Sequence, residues 1–369
     1  MYSPKEYLRH GVLLVLTIIT TTLAGSEWLF GKSVLGEEDT MLTWEYFWRS
    51  TAFSFSFIGI LFVHEMGHLL VSIRNRVKSS LPYFIPAWFG FIGAPSIGTL
   101  GAVIRMKSLV NSRRKFFDIG IAGPLAGFVV ALGVLAYGFV SLPELSYLYE
   151  VHPEYADPNF EGYGEDVLNF ELGNNLLFYV MSETLADPNR MPEMSEVIHY
   201  PYLFAGYLAL FFTALNLLPI GQLDGGHVVF GLFPKRHKEI SLAAFCVFIG
   251  YAGLGVISPF MPGDDLLFRI PLYLGFLYIC LHKSGLSPQN KLTLALSIAA
   301  LQYAIVFIKP DWEGYQGWLF FAFLIGRIMG TKHPEVTGFK ELDQKRKVLG
   351  WIALAIFILC FSPKPFIFS

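Results

Sequence analysis

The chain has 369 residues, of which 54% are apolar and 15% are charged, and its formal net charge is −2. The apolar residues form long blocks that a water-soluble protein of this length could not bury, whereas a lipid bilayer can. The composition therefore predicts an integral, multi-pass membrane protein whose partner is the lipid bilayer. No basic run dominates the chain, which argues against a nucleic-acid partner.

Apolar blocks of about 20 residues each correspond to one bilayer crossing. The first block, residues 12–29, resembles a signal peptide, but apolar residues continue past Ala24-Gly25-Ser26, so we favour a retained span. The blocks together predict an all-α polytopic membrane protein, that is, a multi-span helical bundle. Candidate spans lie near residues 11–30, 51–72, 116–141, 200–222, 241–261, 267–282, 291–308, 316–330 and 347–362.

The second candidate span contains the motif His64-Glu65-Met66-Gly67-His68. Ionisable side chains are costly at membrane depth, so three of them together indicate a working site. Residues i and i+4 share one helix face, which lets His64 and His68 reach one metal ion, and the motif is typical of zinc. Glu65 would then act as general base, taking a proton from the zinc-bound water that attacks a peptide carbonyl.

Residues 81–105 interrupt the helical pattern with repeated proline and glycine. Such a composition favours non-helical backbone at membrane depth, either a re-entrant loop or a β-hairpin, and both interpretations stay open. A hairpin would offer a strand edge with which an unwound substrate could pair. The interrupting residues are Pro82, Pro86, Gly90, Gly93, Pro95, Gly98 and Gly101.

A third zinc ligand is expected because catalytic zinc usually has three protein ligands and one open position. Asp224 offers an anionic oxygen, and Gly225-Gly226 would let the backbone turn tightly around it. The competing interpretation is a helix end capped at the membrane surface. His227 is the reserve ligand, otherwise an interfacial histidine.

Two further groups lie near these candidates in the sequence. Asn216 precedes Asp224 by a little over two helical turns, if Pro219 does not distort the helix. Its amide could bind the substrate backbone or a developing oxyanion, or it could form an ordinary interhelical hydrogen bond. At the start of the third span, Gly123 and Gly127 favour close helix packing.

With these motifs the sequence resembles the site-2 proteases, a family of intramembrane zinc metalloproteases. The resemblance covers about residues 50–232, and it is carried by the HExxH motif, by Gly120–Gly127 and by Asn216…Pro219…Leu223-Asp224-Gly225-Gly226. Leu100-Gly101-Ala102 and Pro219-Ile220-Gly221 look most like the members without a PDZ domain that are related to the plant chloroplast type.

This resemblance implies a zinc ion held by His64, His68 and Asp224, with Glu65 as base and Asn216 near the substrate. It also implies a transmembrane protein as substrate, cleaved within or near its membrane-spanning helix. Two alternatives use the same side chains: a metal-ion transporter and an inactive membrane adaptor. The intact Glu65 argues against the adaptor, because an inactive relative has no need of the base.

On this basis we divide the chain into three parts: residues 1–46, an N-terminal span and outer loop; 47–232, a catalytic membrane core; and 233–369, the C-terminal spans. The core includes an acidic outer loop, 142–199, which holds twelve acidic residues and one basic residue, Arg190. We interpret this loop as a solvated face.

Basic residues cluster on one side of the predicted membrane. By the positive-inside rule that side is cytoplasmic. The N-terminus is then cytoplasmic, and the active site lies in the cytoplasmic half of the membrane. If the organism is a bacterium, the expected location is the plasma membrane. The oligomeric state stays open. The clusters are Lys5 and Arg9; Arg74, Arg76 and Lys78; Arg105, Lys107, Arg113, Arg114 and Lys115; Lys235, Arg236 and Lys238; and Lys345, Arg346 and Lys347.

Overall fold

A computed structural model describes residues 2–157, 170–334, 336, 338 and 340–368. Within these residues the backbone is mostly helical, with two small two-stranded sheets. The helices are α1 Pro4–Phe30, α2 Trp44–Arg74, α3 Arg113–Val140, α4 Leu176–Leu185, α5 Pro201–Leu217, α6 Asp224–Leu232, α7 His237–Ala252, α8 Gly263–Cys280, α9 Pro288–Ile308, α10 Gly317–Phe323 and α11 Gln344–Cys360. The strands are β1 Tyr83–Ala87, β2 Gly98–Val103, β3 Phe170–Leu172 and β4 Phe366–Phe368.

Four of the described helices, α1, α2, α3 and α9, are long and apolar enough to cross a membrane. Shorter apolar helices include α4, α5 and the stretch Gly317–Met329, which continues α10 with a π-helical turn. The predicted class, a helical polytopic membrane protein, is therefore confirmed. The three-part division at residues 46 and 232 stays a prediction.

Helix α1 shows how local sequence sets an apolar helix in place. The Ser3 hydroxyl accepts from the amide of Glu6 and the Glu6 carboxylate accepts from the amide of Ser3, which together form a capping box before Pro4. The helix then runs unbroken to Phe30 and ends at Gly31, whose φ of 61° is left-handed. The small residues at positions 24–26 lie buried inside this continuous helix.

The chain divides into two compact units, residues 1–110, 121–215 and 355–369 in the first and residues 111–120 and 216–354 in the second. In the first unit, the segment predicted as a re-entrant loop or a hairpin is a hairpin. Strand β1 pairs antiparallel with β2, and the register shifts between Phe84 and Pro86, as expected where proline interrupts a ladder. The Thr99 hydroxyl donates to the carbonyl of Ile85 at 2.9 Å, so this carbonyl oxygen has a hydrogen-bond partner where the register shifts.

The β1–β2 hairpin and helix α1 are in close contact. A Cβ atom at Gly98, which has a φ of +79°, would overlap the backbone of Thr21, and the Thr20 hydroxyl donates to the carbonyl of Gly98 at 2.7 Å. Nδ1 of His10 lies 2.8 Å from the carbonyl oxygen of Pro82. Only glycine fits position 98, because both the left-handed φ and the neighbouring backbone exclude a side chain.

The acidic loop 142–199 is described except for residues 158–169, which lie outside the described residues. Strand β3 of this loop pairs with β4 near the chain end, and the Tyr207 hydroxyl contacts the carbonyl oxygens of Gly173 and Pro365 at 2.5 and 2.7 Å. Leu172, Phe178 and Val197 are fully buried. The described part of the loop is therefore packed structure rather than a purely solvated face.

In the second unit, polar contacts fix the turn between α5 and α6. The Ser241 hydroxyl accepts from the amide of Gly221 and donates to the carbonyl of Thr331, both at 2.8 Å. Deeper among α7, α8 and α9, the Gln302 amide group donates to the carbonyl of Gly250 at 2.8 Å and accepts from the Tyr273 hydroxyl at 3.0 Å. Such bonds satisfy polar groups between apolar helices.

Candidate metal centre

Helix α2 places the motif residues together in the first unit. His64, Glu65 and His68 lie in a 31-residue apolar helix and are 6%, 7% and 6% exposed. One helical turn separates the two histidines, and their Nε2 atoms lie 3.1 Å apart. One ring nitrogen of each imidazole therefore lies close to the other, and the assignment of both as zinc ligands stays a prediction.

This separation fits one zinc ion. Two nitrogen ligands at 2.0–2.1 Å from a tetrahedral zinc lie about 3.3 Å apart. Imidazole nitrogen is also a ligand type that zinc prefers. The pair can thus hold the zinc ion that the HExxH motif implies without a rearrangement of the helix.

Glycines of α3 leave the space that these histidines occupy. A Cβ atom at Gly123 would overlap Nε2 of His68, and one at Gly127 would lie 3.0 Å from Cβ of His64. On α2, a Cβ atom at Gly67 would lie 2.6 Å from the carbonyl oxygen of Ala122. The close packing predicted for the glycine-rich start of this span is present, and its physical reason is the approach of two helices around the imidazoles.

The other candidates belong to the second unit. Asn216 is the penultimate residue of α5, and Asp224 is the first residue of α6. The expectation of one helix through residue 222 is wrong, because the helix ends at Leu217. The left-handed turn is at Gly221, with a φ of +54°, rather than at Gly225-Gly226.

Gly225 and Gly226 are needed for a different reason. They lie in the first turn of α6, where a Cβ atom at Gly225 would overlap the carbonyl oxygen of Leu217 and one at Gly226 would overlap that of Gly221. The return of α6 against the preceding turn thus requires the two glycines. Asp224 starts a helix instead of ending one, so the interpretation as a C-terminal cap is also wrong.

His227, the reserve ligand, has a partner that the sequence did not indicate. Its Nδ1 lies 2.8 Å from Nε2 of His333, whose ring stacks on Phe230 at 3.9 Å between centroids. Burial, reinforced by the proximity of His227 and His237, lowers the pKa of His333 to about 3. A single histidine 106 residues away gives no sequence signal for such a contact.

Comparisons with known proteins agree with these observations. A sequence model of peptidase family M50 matches residues 52–257. The probable chloroplastic zinc metalloprotease EGY1 of Arabidopsis thaliana is 31% identical over 202 residues, 55% of this chain and 33% of that protein. The probable chloroplastic zinc metalloprotease EGY2 of the same plant is 26% identical over 195 residues, 53% of this chain and 31% of that protein.

A third relative, the probable chloroplastic zinc metallopeptidase EGY3 of Arabidopsis thaliana, is 28% identical over 210 residues, 54% of this chain and 32% of that protein. The matched part of the chain spans about a third of the length of these curated relatives. No solved structure matches the chain. The matched residues include the histidine pair of α2, and the relatives' names agree with zinc as the implied metal.

Proposed function

This chain belongs to peptidase family M50, and we propose that it is an intramembrane zinc metalloprotease that hydrolyses peptide bonds within or near the transmembrane helices of membrane substrates. One observation carries the proposal. The buried His64–Glu65–His68 motif lies within an apolar helix that is long enough to cross a membrane, and its two Nε2 atoms are 3.1 Å apart. A site built at that depth fits a substrate that is itself in the membrane.

The proposed zinc ligands are His64, His68 and Asp224, two neutral imidazoles and one anionic carboxylate. When bound, zinc lowers the pKa of a coordinated water and polarises a carbonyl oxygen. Glu65 follows the first histidine directly, and its carboxylate accepts the proton that the attacking water loses. The amide of Asn216 donates to the substrate backbone or to the oxyanion that forms on the scissile carbonyl.

A helical substrate must first unwind, because its carbonyls are engaged in helical hydrogen bonds. In the described part of the chain, β1 and β2 pair only with each other, so each strand keeps one edge without a strand partner. An extended substrate segment adds to such an edge through backbone hydrogen bonds. The hairpin therefore supports a role in holding the unwound substrate.

The proposal includes an orientation. The basic clusters favour a cytoplasmic N-terminus and place the active site in the cytoplasmic half of the membrane. In a bacterium this membrane would be the plasma membrane. The described acidic segment between α3 and α5 would then lie on the opposite side.

The test compares purified wild type with Glu65→Gln on a reporter that contains one transmembrane helix. We expect both proteins to bind zinc and only the wild type to cut, because the substitution keeps the shape of the side chain but removes the base. Glu45→Gln is the matched control, since Glu45 lies on the same helix with a side chain that is 75% exposed. Mass spectrometry of the products locates the cut relative to the membrane.

Two outcomes contradict the proposal. If wild type binds zinc, cuts no transmembrane helix and moves zinc across the membrane of a sealed vesicle, the chain is a transporter. If Glu65→Gln cuts as fast as wild type, Glu65 is not the base.

A further inference from the structure

A second group of metal-ligating side chains lies in the first unit, in the segment between α3 and α5. His152 directly precedes the 3₁₀ helix Pro153–Ala156, and Glu196 and His199 are the first and last residues of the 3₁₀ helix Glu196–His199. The potential ligand atoms of these three residues lie within 4.8 Å of one another. We call them the loop cluster. None of the three belongs to a motif of the sequence.

The loop cluster has the dimensions of a zinc site. The two Nε2 atoms lie 3.2 Å apart, close to the separation of about 3.3 Å expected for two ligands of a tetrahedral zinc. Oε2 of Glu196 lies 3.7 Å from Nε2 of His152 and 3.6 Å from Nε2 of His199. Two imidazoles and one carboxylate are a common ligand set for zinc.

Outer contacts orient each of these side chains. Nδ1 of His199 lies 2.9 Å from the carbonyl oxygen of Leu29, and Nδ1 of His152 lies 3.3 Å from a carboxylate oxygen of Glu154. A carbonyl or carboxylate oxygen accepts, so each Nδ1 donates, and a ring in its neutral form then carries its lone pair on Nε2. Zinc-binding histidines usually show this arrangement, in which the second nitrogen donates to an oxygen.

The carboxylate is held in the same manner. The Tyr155 hydroxyl donates to Oε1 of Glu196 at 2.9 Å. The other oxygen, Oε2, is buried and has no hydrogen-bond partner among the described residues. An anionic oxygen in this position is costly unless a cation or a donor reaches it.

From this geometry we propose that His152, Glu196 and His199 form a second zinc site, which fastens the segment between α3 and α5 to the end of α1. The link to α1 is direct, because Leu29 lies in the last turn of that helix and its carbonyl binds the His199 ring. The Tyr147 hydroxyl donates to the carbonyl of His199 at 3.2 Å. A metal at this point would lock the loop as a crosslink does, by disfavouring the open chain.

The test counts zinc. The full chain is purified in detergent, stripped with a chelator, reloaded with zinc chloride and analysed for zinc per polypeptide. We expect two zinc ions for wild type and one each for Glu196→Gln and His152→Ala. Glu193→Gln is the matched control and should keep two, since Glu193 is an exposed glutamate of the same segment.

The result that decides this proposal is the difference between wild type and Glu196→Gln. A loss of one zinc ion supports the loop cluster, and no loss overturns it, whatever the total. His68→Ala reports on the other centre, so failure of the proposed protease site and failure of the loop cluster are distinguishable.

A second measurement uses wild type itself, in case a variant does not fold. Protease cleavage within residues 142–199 is timed with chelator and with zinc at about ten times its Kd, which should slow cleavage roughly tenfold if the closed form excludes the protease. The protection should persist in His68→Ala. Equal cleavage rates with and without zinc would contradict the proposal.

Discussion

The two histidine pairs have nearly the same geometry, with Nε2 atoms 3.1 Å apart in α2 and 3.2 Å apart in the loop cluster, but different surroundings hold them. His64 and His68 are neighbours on one helix face, and the glycines of α3 close around them. His152 directly precedes one 3₁₀ helix and His199 ends another. Contacts with Glu154 and Leu29, respectively, orient their rings.

Because they are held differently, the two sites should respond to different kinds of substitution. In α2 the helix itself sets the spacing, so the pair is sensitive to steric intrusion by its neighbours. In the loop cluster no single helix carries both histidines, so their spacing depends on polar contacts that a substitution can delete without any clash.

The largest expected effect is that of Glu65→Gln. Loss of a general base lowers the rate by about 10²- to 10⁴-fold, whereas the zinc content should stay at the wild-type value. Cleavage of a transmembrane-helix reporter and metal analysis measure the two quantities. Glu196→Gln in the loop cluster should show the opposite pattern, a loss of zinc with the cleavage rate nearly unchanged. A large rate loss in Glu196→Gln would mean that the two sites are coupled.

The second prediction tests whether the packing of α3 controls zinc binding by His64 and His68. Gly123→Ala would place a methyl group on Nε2 of His68, so we expect zinc affinity at this pair to fall about a hundredfold. Overpacking should also lower the free energy of unfolding by about 1–3 kcal/mol. Isothermal titration with zinc and thermal unfolding measure both.

Gly133→Ala is the matched control for this steric effect. It lies on the same helix, with open space around its Cβ position, and it should stabilise α3 by up to about 1 kcal/mol. If Gly123→Ala binds zinc as tightly as Gly133→Ala does, the packing around His68 does not control the pair.

The loop cluster should respond to a purely polar deletion. Tyr155→Phe removes the hydroxyl that holds Oε1 of Glu196 and keeps the ring. Loss of such an outer contact should weaken zinc binding at the loop cluster about tenfold. Competition with a zinc chelator measures the affinity of the loop cluster for zinc. Tyr149→Phe is the control, since Tyr149 is an exposed tyrosine of the same segment. An unchanged affinity would show that zinc alone orients Glu196.

The two sites also differ in how much of each could be predicted from the sequence. An i, i+4 spacing is local, so His64 and His68 could be placed on one face without tertiary information, and apolar block lengths located the long helices α1, α2, α3 and α9. His152 and His199 are 47 residues apart. Nothing in the intervening sequence indicates their meeting, because it depends on how the segment packs against α1.

The glycines near Asp224 also have roles that could not be predicted without tertiary contacts. Position 221 and the pair at 225–226 all lie between α5 and the first turn of α6, and any of them could have made the turn. Tertiary contacts decided: the amide of Gly221 is fixed by Ser241, and the pair is needed because backbone oxygens approach it. Composition alone cannot distinguish a glycine required for its φ from one required for its size.

The smallest expected effect concerns protonation of the loop cluster without metal. Burial lowers the pKa of His199 in the folded state, the nearby His152 adds to this lowering, and Glu196 and the Leu29 carbonyl oppose it. A lowered folded-state pKa means that the unfolded chain binds more protons, so this contribution to stability is complete above the unfolded pKa of about 6.5 and declines as the pH falls below it.

His199→Asn should flatten that decline, since the amide nitrogen of asparagine can still donate to the Leu29 carbonyl but does not titrate. The melting temperature of chelator-treated protein, followed from pH 8 to pH 5, measures the slope. His282→Asn, at an exposed position, should keep the wild-type slope. Zinc should protect the wild type against acid only until protons displace it from the loop cluster, because metal and protons compete for the same histidine nitrogens. If His199→Asn retains the full pH slope, the acid sensitivity arises elsewhere.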